Sequence, residues 1–388
     1  VFIASVHRNN EAVLRGGWNQ ALLSIIDYLG ADNVFVSVVE GGSQDKTKAA
    51  LRELKQELDE RGVPNKVKLG MTVWQQIEEI DARPSAEAPH KEGWIWWDAE
   101  KRYDLRRIPY LSRVRNQALE PLAALALEEL DKDGAAKKTK KKQVFDQVLW
   151  LNDVVFDTQD LVTLLRTNGG EYAAACSMDF KSPPFYYDTF ALRDDKGYKT
   201  TTQYWPWFQS GRARRALWRS EPIKVKSCWN GIVAFDATPF YSGTSSSSSI
   251  SSSSAQQPLR FRGIPDSLAD LHLEGSECCL VHADNHLSAV KGVWLNPNVR
   301  VGYSADAYRQ VRTDVFPTAY ESITGTWLNR LLHFRMRLQE GLESSTVHKR
   351  IRQWQKTTPA GEPKRYEPGD FCLINEMQIM YQNGWKHI

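Results

Sequence analysis

Two rhythms of apolar and polar positions alternate along the first part of the chain. Val1–Val6 and Asn33–Glu40 are apolar runs of strand length, and Trp18–Leu29 reads as a helix. Lys46–Glu60 repeats apolar residues every three or four positions, placing Leu51, Leu54 and Leu58 on one helix face. Gly62-Val63-Pro64 breaks the chain before a strand at Lys66–Met71. A helical stretch follows from about Tyr110 to Leu130, then a buried strand over Val148–Leu151, a helix near Leu161–Leu165 and a strand at Glu171–Met178. Strand–helix–strand alternation predicts an α/β fold, a parallel sheet covered by helices.

After Ser288 the pattern turns irregular. It contains Asn296-Pro297-Asn298, an amphipathic stretch near Trp327–Leu342, a basic segment Lys349–Lys356 and an aromatic tail ending Asn383-Gly384-Trp385-Lys386. The expected organisation is a main domain over residues 1–290 with a C-terminal extension, 291–388, packed on it. Two segments interrupt the main domain: Pro84–Pro89 reads as a surface loop, and Ser242–Gln257, almost entirely serine, predicts a mobile insertion. No internal repeat is visible.

Length changes this picture little: 388 residues exceed the size at which one core stops growing, about 250–300 residues, which suits one large domain with an appendage or two domains. Net charge is only +3, and the Lys137–Lys142 run reads as a solvated loop, so nucleic acid is not an expected partner. Aromatic content is high, with 14 Trp, 14 Tyr and 14 Phe, which suits sugar stacking and a large core equally. No apolar run approaches the ~18–20 residues that span a bilayer. The chain starts at Val1, straight into a strand, which predicts an upstream leader, anchor or stem. Five cysteines allow at most two disulfides. Cys278-Cys279, read as part of a strand over Cys278–Val281, could send one thiol to Cys228 or Cys372, or all could be buried and free.

Candidate chemistry gathers at strand ends, where α/β sheets collect ligands. The strand Val148–Leu151 runs into Asn152-Asp153-Val154, and an isolated carboxylate in an apolar run is costly unless it is paired or metal-bound. Asp153 is therefore a candidate for a divalent cation over a phosphate, or else a cap for the turn Asp157–Asp160. Glu40 ends its strand beside Gly41-Gly42, where it could bond a ribose or base, while Ser43 or Asp45 can cap the next helix. No phosphate-cradling loop or dinucleotide fingerprint is present. Arg113, Asn116 and Gln117 share a helix face by spacing, suited to a diphosphate or to solvent. Acids among aromatics from Cys176 to Asp194 suggest a polyol site. His282 and Asp284, two apart, could complete a metal sphere begun by Asp153.

Taken in order, seven segments resemble the fungal capsule-associated, cryptococcal-type α-1,3-mannosyltransferases. They are Val1–Val6 with His7, Val39–Thr47, Ser112–Asn116, Leu151–Val154, Tyr187–Phe190 with Arg193-Asp194, Cys228–Gly231 and Ser276–Cys279. The resemblance spans Val1 to about Tyr303. It implies a GT-A fold, GDP-mannose as donor, a glycan acceptor, Mn2+ or a similar cation, retention at the anomeric carbon, and a type II membrane protein of the Golgi, attached only through a stem or anchor. On that reading Asp153 is the principal metal ligand, with His282 or Asp284 as the second. His7, Glu40, Ser43, Asp45, Arg113, Arg115, Asn116 and Asn152 face the donor, and Asp188 and Glu277 grip the transferred sugar and the acceptor hydroxyl. The Asp-x-Asp usual in GT-A enzymes is reduced here to Asn152-Asp153-Val154, with one acid, which keeps a non-catalytic sugar- or nucleotide-binding scaffold as the alternative.

Overall fold

Strands buried on both faces organise the molecule. In the computed structural model, residues 1–126, 143–241, 257–313, 315–382 and 384–388 are described; the Lys137–Lys142 run, and the Ser-rich segment apart from Gln257, lie outside them. The main sheet contains β1 (Phe2–His7), β2 (Phe35–Glu40), β3 (Asn65–Lys68), β4 (Gln147–Leu151), β5 (Ala174–Ser182), β6 (Phe185–Tyr186), β7 (Arg193–Asp194), β8 (Ile223–Ser227), β9 (Ile232–Asp236) and β10 (Val293–Gly302). Their order is β3-β2-β1-β4-β9-β5-β10-β8-β7, with β6 paired to β5. Side chains alternate between two cores: Val148 and Trp150 of β4 enter one, Leu149 and Leu151 the other. That double burial explains the near-continuous apolar runs in the sequence.

The sheet is mixed rather than purely parallel. β1, β2, β3 and β4 run parallel, β9 is antiparallel to both β4 and β5, and β5 runs parallel to β10. The carboxyl ends of β1, β2, β4, β5 and β10 therefore meet the amino end of β9 at one edge. Helices α1 (Asn19–Leu29), α2 (Thr47–Glu60), α3 (Arg107–Ala126) and α4 (Thr158–Leu165) connect or cover these strands, and α4 is capped reciprocally by Asp157 and Asp160.

Two expectations change. Cys278–Val281 is not a strand but the middle of helix α5 (Glu277–Asp284), which Ser276 caps by accepting from the Cys278 amide at 3.3 Å. A four-residue apolar run cannot distinguish a strand from a buried helix, and the Ser-Glu start carried the decision. The irregular text after Ser288 hides a central strand: β10, with Asn296-Pro297-Asn298 at its register shift, pairs with both β5 and β8. The sheet therefore extends beyond residue 290 into the expected extension. Among the described residues that extension adds α6 (Ala319–Lys356) and a hairpin of Gln378–Tyr381 with Gly384–His387. Disulfides join Cys176 to Cys228 and Cys279 to Cys372, leaving Cys278 buried and free. No described helix is long and apolar enough to cross a membrane.

Candidate active site

The β1–β2 side of the edge is a tight polar turn. Glu40 is buried; its Oε1 accepts from the Ser43 amide at 2.5 Å and its Oε2 lies 3.3 Å from Lys48 Nζ. A Cβ at Gly70 would sit 2.0 Å from the Glu40 carbonyl oxygen, so only glycine allows this approach. Ser43 Oγ accepts from the Asn9 amide, and Asp45 accepts from the amides of Glu11 and Thr47. These two side chains knit the loops after β1 and β2 together. Burial alone would raise the Asp45 carboxyl, but the hydrogen bonds from Thr47 and Glu11 outweigh it and hold the carboxyl low. His7 lies beneath, buried, with Ser5 Oγ 2.8 Å from Nε2 and its ring edge-on to Trp18. Burial pulls its pKa down to about 4, against a hydrogen bond with Asn10, so it is neutral at pH 7.

Beyond β4 the backbone is clamped and an acid is left facing the edge. The Asn152 amide donates to Gly231 O at 3.0 Å and its carbonyl accepts from Trp18 Nε1 at 2.9 Å. Asp153 Oδ2 accepts from Asn10 Nδ2 at 2.8 Å. Desolvation raises the Asp153 pKa, while Arg115 and Lys181 draw it down.

Three further acids complete the cluster. Asp179, wholly buried in the second half of β5, accepts from Asn230 Nδ2 (3.1 Å), the Asp188 amide (3.2 Å) and the Tyr303 hydroxyl (3.0 Å). Burial and then the nearby Asp188 push Asp179 up to about 7. Asp188 Oδ1 accepts from the amides of Phe190 and Ala191; burial raises its pKa, Glu277 adds to the rise and Arg115 opposes it. Glu277 Oε1 accepts from Arg115 Nε at 3.0 Å. The Arg115 guanidinium lies 4.9 Å from the Trp229 ring and 5.7 Å from Trp150, in a slot of aromatic rings. Burial raises the Tyr303 phenol first, and the charges of Asp179, Asp153 and Asp188 add to that rise.

Four acids against Arg115 and Lys181 leave a negative site with oxygen donors, the chemistry that suits a hard divalent cation. Among the described residues, however, no three carboxylates bring their oxygens within 4.8 Å of one another. Asp153 would hold such a cation as one protein ligand, with ligand phosphate oxygens and water filling the rest. The trio that does converge is Cys176, Cys228 and His282, and its two sulfurs are already joined as a disulfide.

Other expected site residues lie elsewhere. His282 stacks on Phe235, and its Nε2 is 2.7 Å from the Cys228 carbonyl oxygen. Phe235 pairs with Val148, five residues before Asp153, which is about 16 Å along a strand. The structure does not bring His282 to Asp153, because helix α5 aims it at the sheet's face rather than its edge. Asp284 is held by Arg262, at 2.6 and 2.8 Å. Arg113 pairs with Glu79, and Asn116 clasps the Phe261 backbone from both sides. Arg113, Asn116 and Gln117 do share one face, along a cavity of about 880 Å³, but Arg115 points the other way, to the acids. Asp179 falls in the stretch of acids and aromatics expected to form a polyol site, and Asn230 in the Cys228–Gly231 segment, whereas nothing in the sequence points to Tyr303 as a site residue. Asp179 carries the same signal as Asp153, a carboxylate inside an apolar strand.

An acidic cluster with the largely covered Arg115 lies at the carboxyl edge of this α/β sheet, the edge at which domains of this class bind ligands. The chain belongs to the family described as Cryptococcal mannosyltransferase 1, whose profile matches residues 1–284. It is similar to alpha-1,3-mannosyltransferase CMT1 of Cryptococcus neoformans var. neoformans, with 24% identity over 307 residues, covering 76% of this chain and 56% of that protein. The chain thus spans a little over half the length of that relative. Similar solved structures include the mannosyltransferase PcManGT from Pyrobaculum calidifontis in complex with GDP-Man and Mn2+ (12% identity, 95% of this chain, 66% of that chain, TM-score 0.37). TarS of S. aureus is another (12% identity, 92% and 49%, TM-score 0.39).

Proposed function

We propose that this chain is a retaining GT-A glycosyltransferase that transfers mannose from GDP-mannose to a glycan acceptor, forming an α-1,3 linkage. The observation that carries the reading is the placement of Asp153, Asp188 and Glu277 with Arg115 at one sheet edge, in a chain of this family. Mn2+ would supply charge neutralisation at the departing diphosphate. Asp153 would orient the cation, and Asn10 orients Asp153. The Glu40–Ser43 turn would receive the nucleoside, its shape fixed by Lys48 and Gly70. Arg115, held by Glu277 in a slot of aromatic rings, keeps a fixed positive charge beside the sugar site at no cost of reorganisation during reaction. Asp188 and Glu277 would grip the sugar and the acceptor hydroxyl. On the same reading the protein acts in the Golgi lumen, held there by a stem or anchor outside this sequence, in building a capsule polysaccharide.

A thermal-shift panel of GDP-, UDP- and CMP-sugars with and without Mn2+ tests the donor, because a ligand stabilises the state that binds it. GDP-mannose with Mn2+ should give the largest rise in Tm, and Asp153→Asn should remove the Mn2+-dependent part together with turnover. Equal shifts for all three nucleotides would defeat the donor assignment. Selective binding without release of GDP would instead establish a non-catalytic scaffold.

A further inference from the structure

Helix α6 carries an apolar stripe that nothing in the described structure covers. Tyr320, Ile323, Trp327, Leu331, Phe334, Leu338 and Leu342 recur every three or four residues, and each is between 55 and 80% exposed. At 1.5 Å per residue the stripe is about 33 Å long. Its orientation is fixed from behind. Gly325 packs against the Trp205 backbone, Asn329 Nδ2 donates to the carbonyls of Tyr204 and Trp205, and Glu340 accepts from Lys199 and Gln209. Val347, Ile351 and Trp354 then enter a core with Leu280 and Leu373. The stripe is therefore not a core face left open, and an exposed apolar band of this size marks a contact surface.

Charge identifies what it contacts. Arg330, Arg335 and Arg337 border the stripe, and Lys349, Arg352 and Lys356 continue the same face beyond Leu342, all exposed. Among the described residues, Arg330, Arg335 and Arg337 have no carboxylate partner; Arg330 lies over Trp327 and Arg337 over Tyr198. The helix's acids lie away from it: Glu321 caps the N-terminus, and Glu340 and Glu343 bond Lys199 on the protein side. The neighbouring helix Gly211–Trp218 adds exposed Trp218, Arg212 and Arg215, and Arg214 lines a cavity together with Arg330 and His333 of α6. A second copy docked on this face would set arginine against arginine. A negative surface with an apolar interior satisfies both features.

We propose that the α6 stripe docks on an anionic lipid bilayer, with its rings and leucines in the headgroup–acyl boundary and its arginines on lipid phosphates. This attachment would be additional to any anchor outside the sequence, and it does not depend on the donor or on the reaction. Co-sedimentation of the whole chain with phosphatidylcholine vesicles, with and without phosphatidylserine, tests it. Binding should require phosphatidylserine and weaken in high salt. Phe334→Asp with Leu338→Asp should abolish it, and Arg330→Gln/Arg335→Gln/Arg337→Gln should weaken partitioning on the order of 100-fold, at about fivefold per arginine. Both variants should melt within a few degrees of the parent, since the substituted side chains are exposed. Failure to bind phosphatidylserine vesicles, or undiminished binding by either variant, would overturn the proposal. So would a dimer in sedimentation velocity that Phe334→Asp/Leu338→Asp dissociates.

Discussion

The Asp179 carboxyl changes charge near neutrality. An unfolded aspartate ionises near 3.9, whereas burial and Asp188 raise Asp179 to about 7 in the fold. Between those values the folded chain keeps a proton that the unfolded chain has released. Asp179 therefore lowers stability as pH rises through about 4 to 7, and its effect is constant above. His7 and His282 slope the other way: buried and neutral, both fall to about 4, so acid below 6.5 favours the unfolded chain. Asp179→Asn should isolate the first slope. An asparagine can accept from Asn230 and the Asp188 amide through its oxygen and donate to Tyr303 through its nitrogen, so the network survives. The Tm of Asp179→Asn relative to the parent should rise from pH 4 to pH 8. A difference independent of pH would mean that Asp179 ionises normally. At this scale the sequence shows which residues are chemically unusual more readily than which of them meet. Asp153 and Asp179 share one signal, and only the parallel register of β5 with β10 brings Tyr303 onto Asp179.

Helix α5 shows where element-level reading failed and why the error mattered. Apolar Cys278–Val281 fits a strand or a buried helix turn, and the strand reading sent His282 toward the sheet edge. As a helix, α5 instead delivers Glu277 at its first turn to Arg115 and Cys279 to Cys372. The long periodic elements, by contrast, were legible: α2 spans Thr47–Glu60 where Lys46–Glu60 is expected, because Leu51, Leu54 and Leu58 mark a full face. The Cys279–Cys372 link closes 93 residues of chain and ties α5 to the C-terminal segment. Cys279→Ala/Cys372→Ala should lower unfolding stability by about 2–5 kcal/mol in urea, while the Cys176–Cys228 bond remains. A loss below 0.5 kcal/mol, within the ordinary scatter of surface changes, would show that packing alone holds the segment.

For the whole molecule, alternation in the first 180 residues was enough to predict the α/β class, but not the sheet's full width. β10 is irregular in text because Asn296-Pro297-Asn298 interrupts it, yet Leu295, Val299 and Val301 are fully buried, and the strand pairs with β8 before that interruption and with β5 on both sides of it. A chain ended at residue 290 should therefore fail to fold, with β5 and β8 each stripped of a partner. Far-UV circular dichroism and a cooperative melt of that truncated chain would check this, and a native-like melt would restore the boundary near 290.

The Cys176–Cys228 bond has a consequence for how the protein is made. It fastens β5, which carries Asp179, to the turn that carries Asn230, so one covalent link holds both halves of the Asp179 pocket. Such bonds form in oxidising compartments and stay open in a reducing cytosol. A cytosolic expression host would thus produce the right polypeptide with the pocket's two walls unfastened. The folding history of a preparation then belongs with its sequence when its activity is judged.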